Sequence, residues 1–198
     1  MARTVLATIF AVGFAVGVLA AVEPVSRVDA ARLQAKIDRI SKHASGQKPA
    51  GLRTPITEAE LNSYLLYELG DSLPTGVKEP SLSLPGNNRV SGRAVVDLAQ
   101  VAQGRKSSGM LDPFNYLGGS FPVAVNGVLK TKAGVATFAL ESVLISGTPV
   151  PAWILQEIVS YYSRSSTAPQ GVSIDKPFSL PAGIRDIQLD RGQAIVVQ

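Results

Sequence analysis

Residues 120–162 read SFPVAVNGVLKTKAGVATFALESVLISGTPVPAWILQEIVSYY. In the first part, Phe121, Val123, Val125 and Leu129 fall on one face of a strand and Pro122, Ala124 and Asn126 on the other, because successive strand side chains point to opposite faces. The second part, Gly134 to Ile145, brings Phe138, Leu140 and Leu144 together. Lys130 to Gly134 is polar and flexible, so the two runs form a hairpin, with Val125 expected opposite Leu140 and Phe138 against Gly127. A slip of one residue would turn a whole apolar row to water. Strands of about ten residues are roughly 33 Å long at about 3.3 Å per residue, and long twisted strands wrap around a neighbouring element.

That neighbour is a helix expected over 152–162, with Pro149 and Pro151 at its start, where proline is tolerated. Ile154, Ile158 and Tyr161 form its stripe, flanked by Trp153, Leu155, Val159 and Tyr162, and only Gln156, Glu157 and Ser160 are polar. A helix apolar nearly all round is buried or faces something other than water. A broad apolar sheet beside such a helix points to a hydrophobic cradle. Its expected walls are Trp153, Ile154, Leu155, Ile158, Tyr161 and Tyr162 on one side and Phe121, Val123, Val125, Phe138 and Leu140 on the other.

Upstream, Val77 to Leu84 alternates but contains Pro80, which cannot donate to a ladder and marks an edge strand. Pro85 to Asn88 is a turn by composition. Residues 89–99 then place Val90, Gly92, Ala94, Val96 and Leu98 inside and Arg89, Ser91, Arg93 and Asp97 outside. Gly92 and Ala94 are small where bulk is expected, which suits the close approach of a helix or room for a guest. Gln100 to Gly119 is a long connection with an apolar half, suited to a lid or rim. Thr57-x-x-Glu60 is a capping box. It opens a helix over 57–69 with Leu61, Tyr64, Leu65 and Leu69 at helical spacing, and Gly70 stops it. Tyr64 and Tyr67 read as packing residues. A helix over 25–44 carries Val28, Leu33, Ile37 and Ile40 on one stripe, suited to a stalk or to lying on the domain. Residues 45–55, rich in Gly, Pro and polar side chains, read as a linker or loop. Residues 184–190 and 193–198 form a closing hairpin through Arg191-Gly192.

At the start, Arg3 precedes an uncharged apolar run from Val5 to Val22, with Ala20 and Ala21 ahead of Glu23-Pro24. This fits a secretory signal peptide. It is also about the minimum length for a membrane anchor, which needs about 17–25 apolar residues. Either reading places the rest outside the cytoplasm, in a periplasmic or envelope setting. The expected divisions are 1–22 as signal or anchor, 23–55 as helical stalk and linker, and 56–198 as an α+β domain. The chain has no cysteine, so neither a disulfide nor lipid attachment at a cysteine is open to it. The net charge of +4 is scattered rather than gathered on one face, which argues against nucleic acid as a partner.

No catalytic constellation is visible. His43 is the only histidine and no cysteine accompanies it, so the usual zinc sets cannot form. G-x-S-x-G, P-loop and G-x-G-x-x-G patterns are absent. Asp97, Glu141 and Asp175 are isolated acids. The expectation is a non-enzyme with no cofactor and no metal.

The segments TEAELNSYLLYEL (57–69), GVKEPSLSL (76–84) and VVDLAQV (95–101), with ESVLISGTPVPAWILQEIV (141–159) and GVSIDKPFSLPAGIRDIQLDRGQAIVVQ (171–198), resemble in order the parts of tubular lipid-binding (TULIP-like) domains. Relatives of that type include periplasmic phospholipid-binding proteins of the mycobacterial kind and YceB-like lipoproteins. The resemblance spans residues 56–198. It implies an α+β fold in which a long curved antiparallel sheet wraps a helix and leaves an apolar groove for acyl chains, here behind an N-terminal signal or anchor helix. The missing cysteine departs from the lipoprotein members. The function so implied is an exported envelope protein that binds lipid or another apolar ligand, with lipid or a membrane surface as partner. The alternative is an envelope scaffold or adaptor with a fully packed core and no small ligand.

Overall fold

The computed structural model describes residues 25–46, 51–70, 76–97, 119–151 and 176–198, with single positions between them at 73, 100, 153, 156, 160, 170 and 173. Within these residues the chain is α+β. Two helices, α1 (Arg27–Ala44) and α2 (Glu58–Tyr67), accompany nine strands. These are β1 (Arg53–Thr57), β2 (Val77–Gly86), β3 (Arg89–Asp97), β4 (Ser120–Lys132), β5 (Val135–Ile145), β6 (Thr148–Pro149), β7 (Phe178–Ser179), β8 (Asp186–Asp190) and β9 (Gln193–Val197). The large sheet runs β2-β3-β4-β5-β6, with β7 also on β5, and the small one runs β1-β9-β8. All the pairings are antiparallel.

The expected edge strand is β2, whose outer backbone is covered by α2. Asn62 is buried, and its amide pairs with Leu82 in both directions, donating to the carbonyl at 2.8 Å and accepting from the N–H at 2.7 Å. Glu58 accepts the Leu84 N–H at 2.7 Å. Side chains of a helix thus do the work of a missing strand and blunt an edge that would otherwise pair with another chain. The capping box forms as read, with the Thr57 hydroxyl accepting from Glu60 and the Glu60 carboxylate accepting from Thr57.

The 25–44 helix lies on the domain. Leu33 and Ile40 of α1 are buried with Ile56 of β1 and Val196 of β9, and Ile37, Leu61, Tyr64 and Ile184 pack around them. The core continues through Leu84, Leu189 and Ala194, joined by Val90, Leu129 and Ile187. Tyr64 is a packing residue, as read, and its hydroxyl donates to Gln34 at 3.0 Å. Residues 53–57, most of which fall in the expected linker, instead form β1 at the edge of the small sheet. Pro55 is compatible with an edge position, and its carbonyl accepts from Lys36 at 2.7 Å.

The two sheets are stitched at their turns. Asn87 and Asn88 both adopt positive φ, 55° and 58°, as a two-residue hairpin turn requires and asparagine tolerates. Asn88 then exchanges backbone and side-chain hydrogen bonds with Leu189 on β8 at 3.0–3.1 Å. Across the other hairpin, the Thr131 hydroxyl donates to Asp186 and accepts from the Ile187 N–H at 3.0 Å. That hydroxyl is the main reason the Asp186 carboxyl titrates below its ordinary value. Partial burial opposes it, and the Gln188 amide, the Ile187 N–H and the Arg53 charge assist. A carboxylate with a lowered native pKa adds stability above its unfolded pKa, near 3.9, that is lost as pH falls through the native value. Thr131→Val is expected to cost about 1.5 kcal/mol at neutral pH. Urea unfolding at pH 7 and pH 3 should show the variant losing less on acidification than the parent.

The hairpin register corrects one expectation. The turn is Ala133-Gly134 alone, with Lys132 paired to Val135. Leu140 therefore sits opposite Gly127 and Phe138 opposite Leu129, displaced by two residues from the expected pairing. An even displacement keeps both apolar sets on one face. A bulge supplies the second correction. Asn126 pairs with Ser142 but Gly127 pairs with Leu140, so Glu141 is the extra residue. Beyond it the alternation is inverted. Val143 and Ile145 join the apolar face opposite Val125 and Val123, while Leu144 passes to the other face opposite Ala124.

Candidate functional site

Of the expected ligand residues, the structure brings Phe121, Val123, Val125, Phe138 and Leu140 to one face of the large sheet. Val90, Gly92, Ala94 and Val96 continue this face on β3 through their pairing with Gly127, Val125, Val123 and Phe121. From Phe121 to Leu129 the row extends about 26 Å at about 3.3 Å per residue. Its five expected members are all half-buried, in contrast to the enclosed core around α1. Gly92 faces Leu82, whose methyl would stand 3.7 Å from an added Cβ, so ordinary packing accounts for the small residue there.

Of the expected opposite wall, Trp153 is 65 % exposed. Position 153 is helical, as are 156 and 160, and Gln156 donates to Ser160 at 2.6 Å, the spacing of one helical turn. The side chains of Ile154, Leu155, Ile158, Tyr161 and Tyr162 lie outside the described residues, as does the expected lid or rim over 101–118.

A depression of about 380 Å³ occupies the opposite face of the same sheet. Val95, Pro122, Ala124 and Leu144 give it an apolar lining, and Glu79, Arg93 and Gly147 stand around it. Only Val123 and Ala94 belong both to this lining and to the apolar row. The bulge at Glu141 adds to the depression's apolar lining by sending Leu144 to this side. Val95, Pro122 and Ala124 already interrupt an otherwise polar face in the alternation, which was the signal available for it. Elsewhere this face is polar, with Asn126 donating to Ser142 at 2.9 Å and Arg89 paired with Glu141 at 3.3 Å.

The isolated acids do not converge on a reactive centre. Asp97 is paired with Lys78 at 3.7 Å and Glu141 with Arg89, while Asp175 lies outside the described residues. Among the described residues no group of histidine, aspartate or glutamate is arranged to hold a metal ion. Nor is any described helix long and apolar enough to cross a membrane. No family model matches this chain, and no curated protein matches it.

Proposed function

We propose that this chain binds a lipid or another apolar ligand along the apolar row of its large sheet, in a groove between that sheet, curving around it, and helix 152–162. In this reading it is an exported envelope protein, released by cleavage of residues 1–22 or tethered by them. The observation that carries the reading is the half-buried row Phe121, Val123, Val125, Leu140 and Phe138. None of these is a member of the buried clusters around α1 and the small sheet, while Val90 and Leu129 carry the same face into that core. Sites for apolar ligands are lined by side chains of this kind. The resemblance to tubular lipid-binding domains supports the same class of ligand.

Trp153 is the only tryptophan and is exposed, which makes it the reporter. Oleate or phosphatidylglycerol added to the protein is expected to move its emission to shorter wavelength with a saturable titration. Val125→Asp and Leu140→Asp should abolish the response while circular dichroism stays unchanged. An emission that stays at the exposed value throughout the titration would remove the reading. The scaffold alternative draws on one observation: Phe178, on the strand paired with the hairpin tip, is 45 % exposed, an apolar side chain open to a protein partner.

A further inference from the structure

Exposed apolar side chains gather at one end of the helix pair. The Ser26 N–H donates to the Ser63 hydroxyl at 3.0 Å, and the Arg27 guanidinium lies 4.8 Å from the centre of the Tyr67 ring. Farther along α1, Lys36 meets Glu60 near the start of α2. The helices are therefore antiparallel, and the beginning of α1 shares an end of the molecule with the last turn of α2. At that end Val25, Val28, Leu66 and Leu69 are 37 %, 67 %, 45 % and 37 % exposed. Val28 and Leu66 lie on the two helices and Val25 and Leu69 just beyond their ends, positions that polar residues would suit. Such exposure of clustered valine and leucine calls for an explanation.

The sequence joins this end to an apolar segment. Only Glu23 and Pro24 separate Val25 from the run Val5–Val22. A link of that length reaches about 10 Å even when fully extended. If residues 5–22 occupy a bilayer, Val25 and its neighbours are held at the membrane surface by covalent geometry alone. The chemistry of the patch suits that position. Its apolar members can enter the acyl boundary, while Tyr67 and Arg27 have the apolar bodies and polar tips found at headgroup level. Asp29, the nearest acid on α1, is already engaged by Arg32 and the Ser26 hydroxyl. Among the described residues, Glu68 is the remaining exposed carboxylate at this end. One cation thus faces one anion among these residues, and the sequence adds Glu23 and Asp71 beside the patch rather than further cations, so attraction to lipid here is apolar rather than electrostatic.

We propose that the patch Val25, Val28, Leu66 and Leu69 is a membrane-apposed surface that seats at the lipid headgroup–acyl boundary while residues 5–22 lie in the bilayer. This rests on reading 5–22 as an anchor and not on ligand binding by the sheet, so either can fail without the other.

The absence of cysteine allows a single thiol to be placed at will. The full chain is reconstituted into phosphatidylcholine vesicles containing lipid with a nitroxide near the headgroup or deep in the acyl chain. Bimane is attached in turn at Leu66→Cys, Leu69→Cys, Ser41→Cys and Ala15→Cys. Ser41 is exposed on α1, about 20 Å from Val28 at about 1.5 Å per residue. The shallow nitroxide is expected to quench positions 66 and 69 several-fold more than 41, unchanged by salt, and the deep one to quench 15. Since Leu66 and Leu69 are exposed, the labels leave the core intact. Quenching at 15 without excess quenching at 66 and 69 overturns the proposal, with the patch then facing water, a second copy or another protein. No quenching at any position overturns the anchor and the surface together.

Discussion

Lys36→Met is expected to lower the unfolding free energy by about 3 kcal/mol, the lower end of the cost of stripping one partner from a buried ion pair, because Glu60 is buried but Lys36 is only half-buried. Glu60 is 1 % exposed, and both of its carboxylate oxygens accept from the Lys36 ammonium at 2.7 Å. One of them also accepts the Thr57 N–H at 2.9 Å. Methionine preserves the aliphatic stem of Lys36 but leaves the carboxylate buried without its cation, and it frees the Pro55 carbonyl as well. For a domain of this size the loss corresponds to a fall in Tm of the order of 10 °C. Adding Glu60→Gln should recover much of it, because glutamine still closes the capping box and carries no charge. Thermal unfolding of the parent and both variants checks this. A double variant no more stable than Lys36→Met would mean that the stem contacts of Lys36 matter rather than the charge pair.

Gly127→Ala carries the second large effect, about 3 kcal/mol, at the upper end of what overpacking costs. Gly127 is buried in β4, and the Phe138 ring leans across it from the neighbouring strand. An added Cβ would lie 2.3 Å from Phe138 Cζ and 2.7 Å from the Ala139 carbonyl oxygen. The ring could rotate away at some cost, but the carbonyl belongs to the sheet backbone and cannot. Gly127→Ala combined with Phe138→Leu is therefore expected to recover only part of the loss. Complete recovery in denaturant unfolding would show that the ring alone sets the constraint. Phe138 belongs to the proposed ligand row, so the single variant should also weaken the Trp153 response.

These two positions show what was and was not legible beforehand. The capping box, the proline-marked edge strand and the closing hairpin come from short-range rules of spacing and turn chemistry, and they appear where those rules put them. The turn expected over 85–88 narrows to Asn87-Asn88, and the large hairpin forms with a shorter turn and a register displaced by two. The burial of Glu60, Asn62 and Ser63 was not legible. Hydrophobic spacing on α2 highlights Leu61, Tyr64, Leu65 and Leu69, whereas these three polar residues are buried because their partners come from α1, from the segment before it and from β2. Strand β1 was hidden by its proline, and by pairing with β9, which lies far along the chain. The bulge at Glu141 has no local signature either. It inverts the apolar alternation, so Val143 and Ile145 replace Leu144 on the expected ligand face. For the candidate site, the β4–β5 half was readable by period-two alternation. On the reverse face the apolar positions Val95, Pro122 and Ala124 follow from the alternation, but Leu144 joins them only through the bulge and was not readable.

The most direct test of ligand binding on the large sheet is photolabelling with a fatty acid that carries a diazirine along its acyl chain, followed by peptide mass spectrometry. Binding along the apolar row predicts adducts at Phe121, Val125, Phe138 and Leu140 that unlabelled lipid competes away. Adducts confined to Val95, Pro122 and Leu144 on the reverse face, or none that competitor removes, would contradict it.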